Sequence, residues 1–172
     1  TGYQQALDDL RPVFESESVT KIGHYLKHAM SVLIWHGVRM EGTVRDTHVT
    51  HSLIDHEGRH SLEQLAERYL SYSLIPLSTL IGEDGKGQLS LLEVDPHRLA
   101  NYASERADVV LRLQAALFEE LDDADYAGVC NDIESPLVRV LVEMEHAGVT
   151  VDVGVLREYA DQLGTEIAEL EQ

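Results

Sequence analysis

The sequence predicts a helix-rich α/β domain. Three observations carry that prediction. Apolar residues recur at three- and four-residue spacing over most of the chain, as amphipathic helices require. Two short stretches, 19–23 and 38–45, read as strands of one sheet with a helical stretch between them. The chain has 172 residues, enough for one substantial core and a short appended element. It has no internal repeats and no low-complexity tracts.

Residues 3–17 form the first amphipathic helix, with Leu7, Leu10, Val13 and Phe14 on one side, and Pro12 is expected to bend it or end it early. Residues 25–36 keep helical spacing at Leu26, Ala29, Met30, Leu33 and Ile34, and Gly37 supplies a stop. After the second strand, residues 47–55 read as a helix. Ser61 then offers a hydroxyl cap, and Gln64 three residues on closes a reciprocal capping box ahead of the stripe Leu62, Leu65, Ala66 and Tyr69. The run GEDGKG, residues 82–87, breaks the helical pattern. It is no phosphate-binding loop, because the spacing is wrong and Gln88 stands where a hydroxyl would follow Lys86-Gly87.

The clearest element begins at Asp95-Pro96, an N-cap followed by proline at the first helical position, where its missing N–H costs nothing. Leu99, Tyr102, Ala103, Val109, Val110, Leu113 and Leu117 carry its apolar face to Leu121. The acidic run 119–125 marks a boundary between a unit at 1–125 and another at 126–172. In the second unit, residues 133–146 form a helix stopped by Gly148, residues 149–151 an extended piece, and residues 155–170 a last helix. This unit has too few apolar residues for a core of its own, so Leu137, Val140, Leu141 and Met144 are expected to lie exposed.

Thirteen basic against 31 acidic side chains give a formal net charge of −18. Phosphate binding needs Lys and Arg to displace counterions, so the isolated chain is expected to bind DNA weakly or not at all. The acidic excess is spread along the whole chain, as on salt-adapted surfaces. A single cysteine, Cys130, cannot form an internal disulfide, which fits a reducing cytoplasm. The chain opens on Thr1 with neither a basic n-region nor an apolar h-region, so the start reads as a cut and not as a signal peptide. No stretch approaches the ~18 apolar residues of a membrane span.

Three colinear blocks together resemble family A DNA polymerases of the DNA polymerase I type. They are KIGHYLKHAMSVL (21–33) running on to Asp46-Thr47, RHSLEQLAERYL (59–70) with NYASERADVVLRL (101–113), and IESPLVRVLVEMEHAGVTVD (133–152). The first two blocks are similar to the second and third motifs of the 3′–5′ exonuclease domain, and the last to the entrance of the polymerase thumb. The resemblance implies a ribonuclease H-like (DnaQ-like) core lacking its N-terminal strands, followed by an α-helical segment. It also implies a parent that is a DNA-directed DNA polymerase, using Mg²⁺ and contacting DNA through its full length.

Active relatives hydrolyse DNA with two metal ions held by a carboxylate cluster. Two of those carboxylates come from an Asp-x-Glu motif upstream of the matched region. The position of the third is Ala29, and that of the fourth, in a Tyr-x-x-x-Asp motif, is Arg106. A methyl group binds no metal, and a guanidinium puts a fixed positive charge where a cation would sit. Tyr102 is retained and could equally be a core aromatic. Glu105 and Asp108 are turned ~100° and ~240° round the helix from Arg106 and Tyr102 respectively, so neither substitutes. No catalytic position is intact, no cofactor is implied for this piece, and its role is expected to be structural.

Two alternatives stand beside that reading: an active exonuclease completed by the upstream Asp-x-Glu, and a histidine-rich metal- or partner-binding module. Nine histidines prompt the latter, above all His24 with His28 at i, i+4 and the group His48, His51, His56 and His60. No Glu base and no cysteine accompany them, so surface or half-buried helix positions are expected. Asp46 is expected to cap a helix instead of holding a metal. A further expectation is a homodimer, through the open sheet edge and the uncovered helices after Asp125.

Overall fold

The computed structural model describes residues 2–83, 85 and 87–171; Asp84 and Lys86 of the GEDGKG stretch lie outside them. The chain opens with α1 (Gly2–Phe14), which buries no residue fully. It runs through Pro12 instead of stopping there. Pro12 falls in the last turn, so it deletes one ladder bond and the helix ends two residues later.

Both strands are shorter than the sequence suggests. They are β1 (Lys21–Gly23) and β2 (Val44–Asp46), paired in parallel with Lys21 opposite Val44, Ile22 opposite Arg45 and Gly23 opposite Asp46. A parallel pair needs a crossover, which α2 (Leu26–Trp35) supplies. Between α2 and β2, Val38 and Met40 are buried on irregular backbone. Gly42 prevents a longer strand: its φ of 73° turns the chain, and a Cβ there would meet the Glu17 carbonyl oxygen at 2.6 Å. The buried Lys21 ammonium ties this turn down by donating to the carbonyls of Ser16 and Glu41.

After β2 come α3 (Thr47–Ile54), α4 (Leu62–Leu70), α5 (Ser78–Ile81) and a short 3₁₀ turn. Ser61 caps α4 by accepting from the Gln64 N–H at 3.4 Å. The box closes differently from the expected pattern, since the Ser61 hydroxyl itself donates to Gln64 Oε1 at 3.0 Å. The long helix α6 (Pro96–Asp123) starts where its local signals place it, with Asp95 accepting from the N–H groups of His97 and Arg98. Its residues Val109, Val110, Leu113 and Leu117 pack on Leu62, Leu65 and Ala66 of α4. Leu99 and Tyr102 instead border a smaller cluster of Leu80, Ile81 and Val94, and Ala103 is exposed because it lies beyond both contacts.

A short α7 (Ala127–Val129) passes through a π turn at Cys130–Glu134 into α8 (Ser135–Ala147). Pro136 has no N–H to offer the Asp132 carbonyl, so the wider turn falls where the α ladder is already broken. The helix after Asp125 is therefore not wholly uncovered. Val138 and Val142 of α8 are buried with Leu26, Met30, Met40 and Val44 in one cluster, at roughly 1.5–3 kcal/mol for each buried side chain. Ion pairs Lys27–Glu145, Arg39–Glu143 and Arg139–Glu41 fasten the same face. Leu137, Val140, Leu141 and Met144 remain exposed, and α9 (Val153–Leu170) buries nothing. No helix among the described residues is long and apolar enough to cross a membrane.

Candidate functional site: a cleft closed by arginine

The C-terminal end of β1 faces the start of α4 and the middle of α6 across a cleft of about 440 Å³, lined by Gly23, His24, Tyr25, Ser61, Glu63 and Arg106 among others. Its shape depends on Asp46. That carboxylate, 6% exposed, accepts from the Tyr25 N–H at 3.1 Å and the Leu26 N–H at 2.6 Å, and from His48 N–H at 2.9 Å. Asp46 thus caps α2 from across the sheet while capping its own helix α3, a backbone-bonding role. The same bonds hold Tyr25 at φ 59°, a left-handed conformation rare for an aromatic residue, with its exposed ring 4.3 Å from that of His48.

Arg106 closes the α6 side. Its guanidinium lies over the Tyr102 ring at 4.1 Å, and Nη2 donates to Glu63 Oε1 at 2.6 Å, while the enclosed Nη1 has no hydrogen-bond partner. Tyr102 is half-buried against the Leu80 cluster and is not among the cleft-lining residues. Ala29 is half-buried one turn into α2 and does not line the cleft either. Glu105 is occupied elsewhere, accepting from the Tyr72 hydroxyl at 2.8 Å and the Ile75 N–H at 2.9 Å, and Asp108 faces Arg112. The cationic group at the cleft is an arginine already paired to Glu63, and among the described residues no group of three or more His, Cys, Asp or Glu is placed together as metal ligands. Glu63 and Tyr25 were not visible in advance. Their partners stand 43 and 21 residues away, and no local pattern announces such contacts.

Two histidines depart from expectation, while His28, His48, His56 and His60 are exposed or half-buried as expected. His24 precedes the N-cap of α2, so it shares no helical face with His28. His51 is completely buried, because α3 turns it into the body of the domain. His24, His48, His60 and His51 instead form a chain of ring contacts with centroids 4.9–5.8 Å apart, while His56 stays at the surface beside Glu57. Burial pushes His24 down to about 4 and holds His48 and His51 below the ordinary histidine range.

A two-stranded parallel sheet wrapped by helices, with a cleft at the end of β1, places the chain in the class of helix-rich α/β domains. A 3′–5′ exonuclease family model, that of the DNA polymerase A exonuclease domain, matches residues 1–122. The chain belongs to that family. DNA polymerase I of Rhizobium leguminosarum is 33% identical over 168 residues, which is 98% of this chain and 16% of the relative. DNA polymerase I of Pseudomonas aeruginosa is 33% identical over 95% of this chain and 18% of its own length. The chain therefore spans less than a fifth of these relatives. Among solved structures, the POL domain of Pol1 from M. smegmatis, in complex with DNA primer-template and dNTP, superposes with a TM-score of 0.77 at 28% identity, covering 98% of this chain and 26% of that one. Brucella melitensis NrnC shares the fold, with a TM-score of 0.65 at 19% identity over 81% of this chain and 64% of its own.

Proposed function

We propose that this chain is the proofreading region of a DNA polymerase I-type protein in which editing has been lost, together with the first helices of the polymerase region. Its remaining work is to buttress that region. The core is of the ribonuclease H type, residues 1–125 forming the exonuclease-like unit and 126–172 the base of the thumb. The carrying observation is Arg106, stacked on Tyr102 and paired to Glu63 where relatives place a metal-binding carboxylate. Ala29 removes a second ligand. Mg²⁺ serves the parent's polymerase chemistry and not this region. DNA is contacted through the full-length protein, located in the cytoplasm, while this chain alone repels it.

The test is incubation of the chain, and of a version extended upstream, with 3′-labelled single-stranded oligonucleotide and Mg²⁺ or Mn²⁺. The substrate should stay intact. Metal-dependent shortening from the 3′ end by the extended version, lost on Glu63→Ala or Tyr102→Phe substitution, would overturn the proposal. Ala29→Asp with Arg106→Asp in the extended version should raise cleavage above that background, as expected if the missing carboxylates are what silences the site.

A further inference from the structure

His51 Nδ1 and His60 Nδ1 lie 2.7 Å apart, and two imidazole nitrogens can be that close only if a single proton stands between them. Arg68 decides which ring carries it. Its Nη1 points at His51 Nε2 from 3.4 Å, and a guanidinium only donates, so Nε2 keeps its lone pair and the His51 proton sits on Nδ1. His60 then accepts at Nδ1 and bears its own proton on Nε2. Both rings are neutral in this arrangement. A proton added to His51 Nε2 leaves the Nδ1–H···Nδ1 bond in place and sets donor against the Arg68 guanidinium, whereas a further proton on His60 Nδ1 sets donor against donor at 2.7 Å.

We propose that the His51–His60 contact is an acid-operated latch, closed while the two Nδ1 atoms share one proton and opened when both imidazoles are protonated, which frees the corner between α3 and α4 beside the cleft. His51 comes from α3, and His60 immediately precedes Ser61, the cap of α4. The first turn of α4 carries Glu63, which holds Arg106 across the cleft. Opening the latch therefore slackens the cap of α4 and the Glu63 contact together.

The groups facing the pair oppose protonation more than they favour it. From α4 come Arg68, with like charge, and the Tyr69 ring at 5.7 Å; from α3 come His48 and Asp55, and from the end of β1 His24. Asp55 is spent on Arg68 at 2.8 Å, and α6 contributes Glu120, the weakest influence on His51, with Arg106 near His24. Burial, the neighbouring imidazole and Arg68 outweigh the two carboxylates in holding His51 neutral. The inference is independent of whether the cleft has lost its chemistry.

Long-range ¹H–¹⁵N spectra of the imidazoles and amide hydrogen-exchange protection factors, corrected for intrinsic rate, test the latch on the 172-residue chain at pH 7.5 and pH 5. At pH 7.5, His51 should show the Nδ1–H tautomer and His60 the Nε2–H tautomer. At pH 5, protection over residues 47–66 should fall about tenfold relative to residues 135–147, one pKa unit's worth of linkage. His60→Gln offers a carbonyl acceptor that takes up no proton, so the fall should shrink to about threefold or less. Equal falls in both proteins would overturn the proposal. So would the opposite tautomers at pH 7.5, or both rings carrying protons on both nitrogens at pH 5 with protection unchanged; these two are read on the unsubstituted chain and stand even if the variant does not fold.

Discussion

Asp46 concentrates more structure in one side chain than any other described residue, because three backbone N–H groups from two helices end on its carboxylate. Removing it strands all three where water reaches poorly. Asp46→Ala should therefore cost about 2–4 kcal/mol, read as a lower urea midpoint at unchanged m-value, whereas a lone surface cap costs ~1 kcal/mol. Asp46→Asn keeps an acceptor and should recover most of the loss. At the same scale the histidines give the chain a pH dependence. His24 titrates near 4 in the folded state against an ordinary 6.5, so the unfolded chain binds more protons between those values. Stability should be full above about pH 6.5 and decline as pH falls towards 4, and His24→Gln should flatten part of that decline in a pH series of thermal midpoints.

At the scale of elements, α8 separates buried from exposed residues within two turns. Val138 and Val142 face α2 and β2, while Val140 between them is exposed. Val138→Ala or Val142→Ala should cost about 1–2 kcal/mol in denaturant titrations, and Val140→Ala should stay within ~0.5 kcal/mol. The apolar spacing of this helix and the exposure of Leu137, Val140, Leu141 and Met144 are legible in the sequence, but the burial of Val138 and Val142 is not. Leu137, Leu141 and Met144 form as good a stripe as Val138 and Val142, and only the position of α2 breaks the tie. Elements with local signals are legible in the sequence: α6 starts at Asp95-Pro96 because cap and proline are adjacent. The strands are shorter than their apolar spacing suggests, since their ends are set by Gly42 meeting Glu17 and by Lys21 reaching Glu41, contacts across 20 or more positions. Ala29 and Arg106 are visible in the sequence as residue types, and Tyr102 as the neighbour one turn before Arg106, whereas the Glu63 partner of Arg106 needs the fold.

For the whole molecule, the net charge of −18 sets how it meets other macromolecules. DNA should be bound no more tightly than micromolar by fluorescence anisotropy even at ~50 mM salt, since non-specific binders of ordinary charge reach only ~10⁻⁴ to 10⁻⁶ M at physiological salt. The same charge opposes a second copy. Yet Val140 and Met144 of α8, with Val155, Tyr159 and Ile167 of α9, leave apolar side chains uncovered, and α9 meets the rest of the chain with no buried residue at all. Covering such surface is favourable at roughly 25 cal/mol per Å², and a two-fold pairing of these helices would cover it on both copies at once. Apolar attraction at the helices thus competes with repulsion spread over the surface, and only the repulsion is screened by salt, within ~10 Å at 0.1 M and ~3 Å at 1 M. Association should therefore strengthen as salt rises, the reverse of a contact built from ion pairs. Light scattering from 0.05 to 1 M salt should show the apparent mass climb from monomer towards dimer, and Met144→Glu with Tyr159→Glu should hold it at monomer throughout. A mass that stays monomeric at every salt concentration would mean that the uncovered faces of α8 and α9 do not drive self-association.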